Sequence, residues 1–394
     1  MQPHRHLVTR PPRALPLLLA ALLAAGCSGT PADEQPAALP SAAIFAPLGE
    51  PLRSLDDAAL ARFEAGRRAM SRRFSAAEGL GPRFNATSCA ACHERPVVGG
   101  SASRYRNVFV LAGAADAIVR VQQQFAVGAR GRADDIAAGG GGGGGGGDGA
   151  RTVTRNPMPL FGLGLIAELP VDVITENADP LDADGDGISG RVNFERGFVG
   201  RFGRKAQMAS LSGVIRLALR DHLGLTSGGI GAHVDPQPSP VNLPTADDDG
   251  VADPEVSSAH VEALIAFVSG LAAPPPDAPT PASERGRALF ARVGCTGCHK
   301  PALVGPRGAL PLYSDLLLHD MGDALGDGVQ VGVAEAREFR TQPLWGLSAT
   351  GPYLHDGRAD TIAGAILLHG GEAARAREAY VALAPDERAD VLSF

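Results

Sequence analysis

The chain has 394 residues, of which 44% are hydrophobic and 20% charged, with a formal net charge of −7. That length leaves room for two or three domains with ordinary cores, and the acidic balance excludes nucleic-acid binding, which needs a basic face. Aromatic residues make up only 5%, Trp345 is the single tryptophan, and Lys205 and Lys300 are the only lysines.

The N-terminus reads as an export signal. Arg5, Arg10 and Arg13 form a positive region before an apolar run from Leu15 to Ala25, too short to span a bilayer comfortably. The run ends in Leu23-Ala24-Ala25-Gly26-Cys27, which resembles a bacterial lipobox. On that reading residues 1–27 are a lipoprotein signal peptide. Cys27 carries the lipid, and the protein sits in the periplasm, anchored to a membrane surface. Residues 28–53, rich in Ala and Pro at their start, are expected to be a flexible tether.

From Ser54 the pattern becomes helical. Leu55, Ala58, Ala59, Phe63, Gly66 and Met70 recur at helical spacing, with Ser54 as the expected N-cap. The helix leads to Cys89-Ala90-Ala91-Cys92-His93, and the same C-x-x-C-H signature returns as Cys295-Thr296-Gly297-Cys298-His299. This is the attachment signature of a c-type haem. Each pair of thiols forms thioethers to haem vinyl groups, and His93 and His299 are placed as axial ligands of two irons. The cysteines are then fully assigned, two to each covalent haem c and Cys27 to lipid. Thiol–disulfide chemistry is the poorer reading, because each pair is followed by His and no βαβ pattern surrounds it. A zinc site would need the two motifs to converge.

Helices are expected before both motifs, and both carry E-x-G-R: Glu64-Ala65-Gly66-Arg67 and Glu284-Arg285-Gly286-Arg287. Residues 260–271 and 385–394 are expected to form closing helices. The fold expected is therefore mainly α, with two cytochrome c-like haem domains whose first and last helices cross beside the haem. The boundaries are 54–271 for the N-terminal haem domain, 272–281 for a Pro-rich linker and 282–394 for the C-terminal domain. The first domain holds a long, partly irregular insertion, with a strand-like piece at Val108–Leu111 and an unbroken glycine run, 139–147, read as a loop expansion.

Asp182-Ala183-Asp184-Gly185-Asp186-Gly187 matches the start of a calcium loop, so Asp182, Asp184 and Asp186 are candidate Ca²⁺ ligands. An EF-hand would close with Glu at the twelfth position, which here is Asn193, with Glu195 two residues further on. The cluster 247–249 has poorer spacing and reads as a solvated turn.

Several segments together carry a family resemblance: LIAELP (165–170), DADGDGISGR (182–191), GRFGRKAQ (200–207), YSDLLLHDMG (313–322) and TQPLWGLSATGPYLHDGRADTIAGAILLHGGE (341–372). The chain resembles bacterial dihaem c-type oxidoreductases, in the dihaem peroxidase branch sometimes labelled thiol oxidoreductases. The resemblance implies an enzyme that reduces hydrogen peroxide, or another small oxidant, with electrons from a small periplasmic donor. It equally admits a dihaem oxidase or oxygenase of an organic or protein substrate. A pure electron-transfer cytochrome is the alternative of a different class. In these relatives the helix after the PYLHDG-like segment supplies the distal ligand of the second haem, and the matching residue is His369. Met321, His319 and His355 are the other candidates. No His follows the first motif closely, and His222, His233 and His260 lie far along the chain. Two readings follow, closure of the first iron by a remote residue or an open iron; the open iron is the preferred expectation, with Glu168, Arg201 and Arg204 as acid or charge partners to consider. Trp345 fits core packing, or a relay between the haems.

Overall fold

The computed structural model describes residues 41–112, 119–127, 151–230, 246–247 and 249–394. Cys27, the signal segment, the glycine run and His233 lie outside them. The described residues belong to a single compact unit.

Helix Asp57–Ser71 is capped by Asp56, whose carboxylate accepts from the Ala59 N–H at 2.7 Å. Ser54, the expected cap, instead accepts from the Arg307 guanidinium at 2.9 Å. The helix packs along Ser258–Gly270, with Phe63 and Phe267 stacked at 5.0 Å. Pro281–Arg292, opened by Thr280 and Ser283 in a reciprocal cap, packs in the same way on Pro385–Ser393. The repeated E-x-G-R motif supplies the crossing point of both pairs. A Cβ on Gly66 would lie 2.0 Å from the Ala263 carbonyl oxygen, and one on Gly286 2.0 Å from that of Asp390. Only glycine lets the backbones approach so closely.

Between these helix pairs the chain is not helical, and the mainly α fold with two cytochrome c-like haem domains is corrected here. The architecture is mixed α and β with several small sheets. Val108–Ala112 is the centre of a three-stranded antiparallel sheet flanked by Val119–Gln122 and Arg151–Arg155. Four two-stranded pairs join Arg83–Phe84 to Phe125–Ala126, Phe194–Glu195 to Phe198–Val199, Leu303–Gly305 to Gly308–Leu310 and Leu318–Asp320 to Glu338–Arg340. Such short pairs do not stand alone in water. They hold because they lie against the helical core, where Phe63, Phe161, Leu165, Ile166, Leu169, Leu211 and Phe267 are buried.

The end of the expected tether belongs to this core. Ile44 and Leu52 are buried, and Phe45 and Pro51 bridge to Ala273 and Leu271. The start of the Pro-rich linker is buried too, whereas 275–280 are exposed. Among the described residues no helix is long and apolar enough to cross a membrane.

Candidate functional site

Both C-x-x-C-H motifs adopt the same local shape. Cys89–Ala91 and Cys295–Gly297 are single 3-10 turns, and the N–H groups of His93 and His299 close back on the carbonyls of Cys89 and Cys295 at 3.1 and 3.0 Å. Two cysteines and a histidine are thereby presented on one side of a turn. Burial pushes the Cys89 thiol up to about 12 and Cys295 to about 11, and raises Cys92 as well. These are half-buried thiols with raised values, unlike the electropositive, low-pKa thiol that disulfide exchange requires. Among the described residues the cysteines join no cluster able to hold a metal ion.

The two motifs open onto one continuous cavity of about 2020 Å³, lined by Cys89, Cys92, His93, Cys295, Cys298 and His299 together with Trp345, His222 and His369. A single small-molecule pocket holds roughly 300–1,000 Å³, so this interior suits two large groups. Much of the lining is apolar, including Met70, Phe161, Leu160, Leu264 and Val268. Trp345 rests on Gly162 (φ +69°), where a Cβ would meet the indole at 2.4 Å.

The histidines are set for iron. The Nδ1 atoms of His93, His299 and His369 face the carbonyl oxygens of Gly100, Tyr313 and Ala365 at 3.2, 2.8 and 2.8 Å. A carbonyl only accepts, so Nδ1 is the protonated nitrogen and Nε2 keeps its lone pair, the arrangement a haem ligand needs. Burial pulls all three below the ordinary imidazole range, His299 to about 4, so the rings are neutral. The charge of His369 further disfavours protonation of His299, and both residues line the cavity.

The other candidates separate. His319 is buried with both nitrogens occupied, Nε2 on Asp315 and Nδ1 on Glu372, each at 2.8 Å. It has no lone pair for iron. Burial disfavours its charge, but the bonds to Asp315, Cys298 and Glu372 outweigh that and hold it protonated well above its usual range. His355 stacks on Phe339 at 4.2 Å, and burial pushes it down to about 3. Met321 lines the cavity. His260 has a buried Nε2 with no partner and packs edge-on against Phe74 at 5.7 Å, outside the cavity wall.

A cationic corner faces the same space. Arg155, Arg204, Lys205 and Arg340 all line the cavity. Asp327 pairs with Arg155 and lies 3.4 Å from Lys205. Arg340 meets only neutral acceptors, the Gly203 carbonyl at 2.9 Å, the Gln342 amide at 3.0 Å and the Thr341 carbonyl at 3.4 Å. Arg204 donates to the Asn156 carbonyl at 2.9 Å, and its buried Nε has no partner. Burial, then Arg155 and Arg340, lower Arg204 to about 9. A buried guanidinium, Arg340, and a half-buried one, Arg204, neither bonded to a carboxylate, suit an anion, and haem propionates are anions of that kind. Thiols, imidazoles, apolar walls and unpaired cations together fit the group that the sequence implies.

Two other candidates are structural. Glu168 pairs with Arg307 at 2.6 Å away from the cavity. Arg201 is buried and ties the carbonyls of Ile166, Ala167 and Leu169 at the end of helix Leu163–Ala167. In the acidic loop the carboxylates of Asp182 and Asp184 converge with that of Asp179, whereas Asp186 turns to accept from the Ile188 N–H at 2.8 Å. Glu195 is buried and accepts from the Ala209 N–H at 2.8 Å, so it takes no part in the loop.

One residue was not singled out from sequence. His222, on the π-helical turn Leu219–Leu223, lines the cavity beside the first motif. Its carbonyl accepts from the N–H groups of Asn85 and Ala86 at 2.6 and 3.3 Å, just ahead of Cys89. Burial pushes His222 down to about 4, and the charge of His93 adds to the effect. Only the flanking Asp221 could have drawn notice to it.

Residues 147–394 match the model of the family described as "Di-haem oxidoreductase, putative peroxidase". Nothing among curated proteins matches the chain. Among solved structures, hydrazine synthase of Kuenenia stuttgartiensis, determined under 20 bar of xenon, aligns over 96% of this chain and 98% of its own at 17% identity, with a TM-score of 0.40.

Proposed function

The chain belongs to the di-haem oxidoreductase family, and on that premise we propose that it binds two covalent c-type haems and reduces hydrogen peroxide to water. Each turnover consumes one peroxide, two electrons and two protons and yields two waters. The observation that carries the reading is the shared cavity: both attachment motifs open into the same interior, so two haems held there by Cys89, Cys92, Cys295 and Cys298 would share one enclosure suited to passing electrons.

When bound, haem iron supplies the redox chemistry; the chain's residues decide what each iron can do. His299 and His369, whose Nδ1 atoms are held by carbonyl oxygens, would both ligate the second iron and make it an electron carrier. His93 would hold one face of the first iron and leave the other for peroxide. Arg204 and Arg340 would neutralise propionates, and the apolar lining excludes water. Electrons would come from a small periplasmic donor, with the protein exported and held to a membrane through Cys27. The loop at Asp179, Asp182 and Asp184 would take Ca²⁺ and brace the adjoining segment.

Electron paramagnetic resonance of the ferric holoprotein, followed by stopped-flow mixing with peroxide, tests the reading. One high-spin and one low-spin signal with fast bleaching of the former are expected. Two low-spin haems inert to peroxide and carbon monoxide would leave a pure electron-transfer cytochrome. Metabolic labelling with a radioactive fatty acid, with and without Cys27→Ser, tests the anchor.

A further inference from the structure

Three of the cavity histidines share one feature that another, His222, reverses. His93, His299 and His369 point Nδ1 at carbonyl oxygens, which leaves Nε2 unprotonated. His222 points Nδ1 at the side-chain amide of Asn85 at 3.5 Å. The orientation of that amide is fixed, because Asn85 Oδ1 accepts from the Gln124 N–H at 2.9 Å. The group that remains toward the imidazole is therefore the NH₂, which can only donate. Nδ1 of His222 must accept, and in a neutral ring the proton then sits on Nε2.

That assignment changes what the residue can do. An imidazole with a proton on Nε2 offers no lone pair there to iron, but it offers a hydrogen-bond donor. The contact to Asn85 is long, and two further features keep the residue in place. Its carbonyl is tied to the N–H groups of Asn85 and Ala86, and the π turn that carries it closes on Gly224 (φ +72°), whose N–H bonds to the Arg220 carbonyl at 3.0 Å. A π turn inserts an extra residue into a helix and re-aims a side chain, and such turns are frequent at functional sites. Helix Leu211–Ala218 runs directly into this one. His222 lines the same cavity as His93 and the first cysteine pair.

We propose that His222 is the donor that meets the small oxidant at the first haem, giving its Nε2–H to an oxygen or anion bound there, and that it is not an iron ligand. The inference rests on the reading of an open iron at His93. It assigns the polar contact of that site to a residue distant in sequence, fixed by Asn85.

The test uses ferric holoprotein with fluoride as the probe, since bound fluoride accepts a hydrogen bond and needs an open iron. His222→Ala and His222→Gln are compared with wild type for haem content, spin state by electron paramagnetic resonance, and fluoride affinity. Expected are unchanged haem content and spin states in both variants, fluoride binding weakened about tenfold or more in His222→Ala, and recovery of much of that loss in His222→Gln, which keeps an N–H donor. Conversion of a low-spin to a high-spin signal in His222→Ala would make His222 a ligand and overturn the proposal. Unchanged fluoride affinity would overturn it too. If wild type binds no fluoride and both haems stay low-spin in every variant, the open-iron reading beneath it falls as well. Fluoride binding that depends on His222, in a protein inert to peroxide, would uphold the donor while refuting peroxide reduction.

Discussion

Nδ1 of His369 lies 2.8 Å from the carbonyl oxygen of Ala365, four residues back. The last carbonyls of a helix lack intrahelical partners, and His369 is the C-cap of Ile362–Leu368. One contact therefore satisfies a helix end and fixes the tautomer that frees Nε2. His369→Ala is expected to convert one low-spin ferric signal to high-spin. His369→Met is expected to keep a low-spin haem while raising its midpoint potential. Paramagnetic resonance and a redox titration check both; an unchanged spectrum in His369→Ala would remove it from the iron.

His319 with Asp315 and Glu372 forms a buried ionic cluster behind the second motif. Replacing His319 by Leu leaves two carboxylates without their partner, at a cost of about 3–5 kcal/mol, read by urea unfolding of the holoprotein. The pH dependence follows from the two shifts. His319 is held above its usual range, so its contribution is complete below about pH 6.5 and fades as pH rises through the elevated folded value. Burial raises the Glu372 carboxyl, but bonds from His319 and Ser189 win and lower it. Its contribution is present above about pH 4.3 and fades as pH falls through the depressed folded value. The gap between wild type and variant should be widest from about pH 4.3 to 6.5 and narrow on both sides.

Gly286 lies at a helix crossing where no side chain fits. Gly286→Ala forces the Pro281–Arg292 and Pro385–Ser393 helices apart, and about 1–3 kcal/mol of stability should be lost. Thermal melts followed by haem absorbance report it. Gly229→Ala is the contrast, because that glycine, like Gly286, lacks a positive φ but has nothing near its Cβ position.

Arg204 is the unpaired guanidinium of the cationic corner. Arg204→Met removes a half-buried positive charge, which favours the more positive ferric state, so the potential of the haem nearest it should fall, on the order of tens of millivolts. Spectroelectrochemistry resolves the shift, and unchanged potentials for both haems would place Arg204 away from either group.

The sequence displayed whatever is encoded over a few residues. The C-x-x-C-H turns, the helix before each, the shared glycine of E-x-G-R and the strand at Val108–Ala112 were all legible because neighbours in sequence fix them. The overall class was not. Most of the strand pairs run two or three residues each, too short for an alternating pattern to stand out. Their pairing is imposed by the core they lie on. Arg201 read as a charge partner because sequence cannot show that its guanidinium is spent on three carbonyls. His222 was passed over as remote, since the contact that brings it to Cys89 runs through the backbone of Asn85 and Ala86.

That backbone contact has a mechanical side. Cys89 and His222 are connected through one short run of main chain, residues 85–89, and not through two independently packed elements. A group tethered at Cys89 and the imidazole facing it would move together when the surrounding body flexes. The gap between them, which would set what can enter and how tightly it is gripped, would then follow this one main-chain contact.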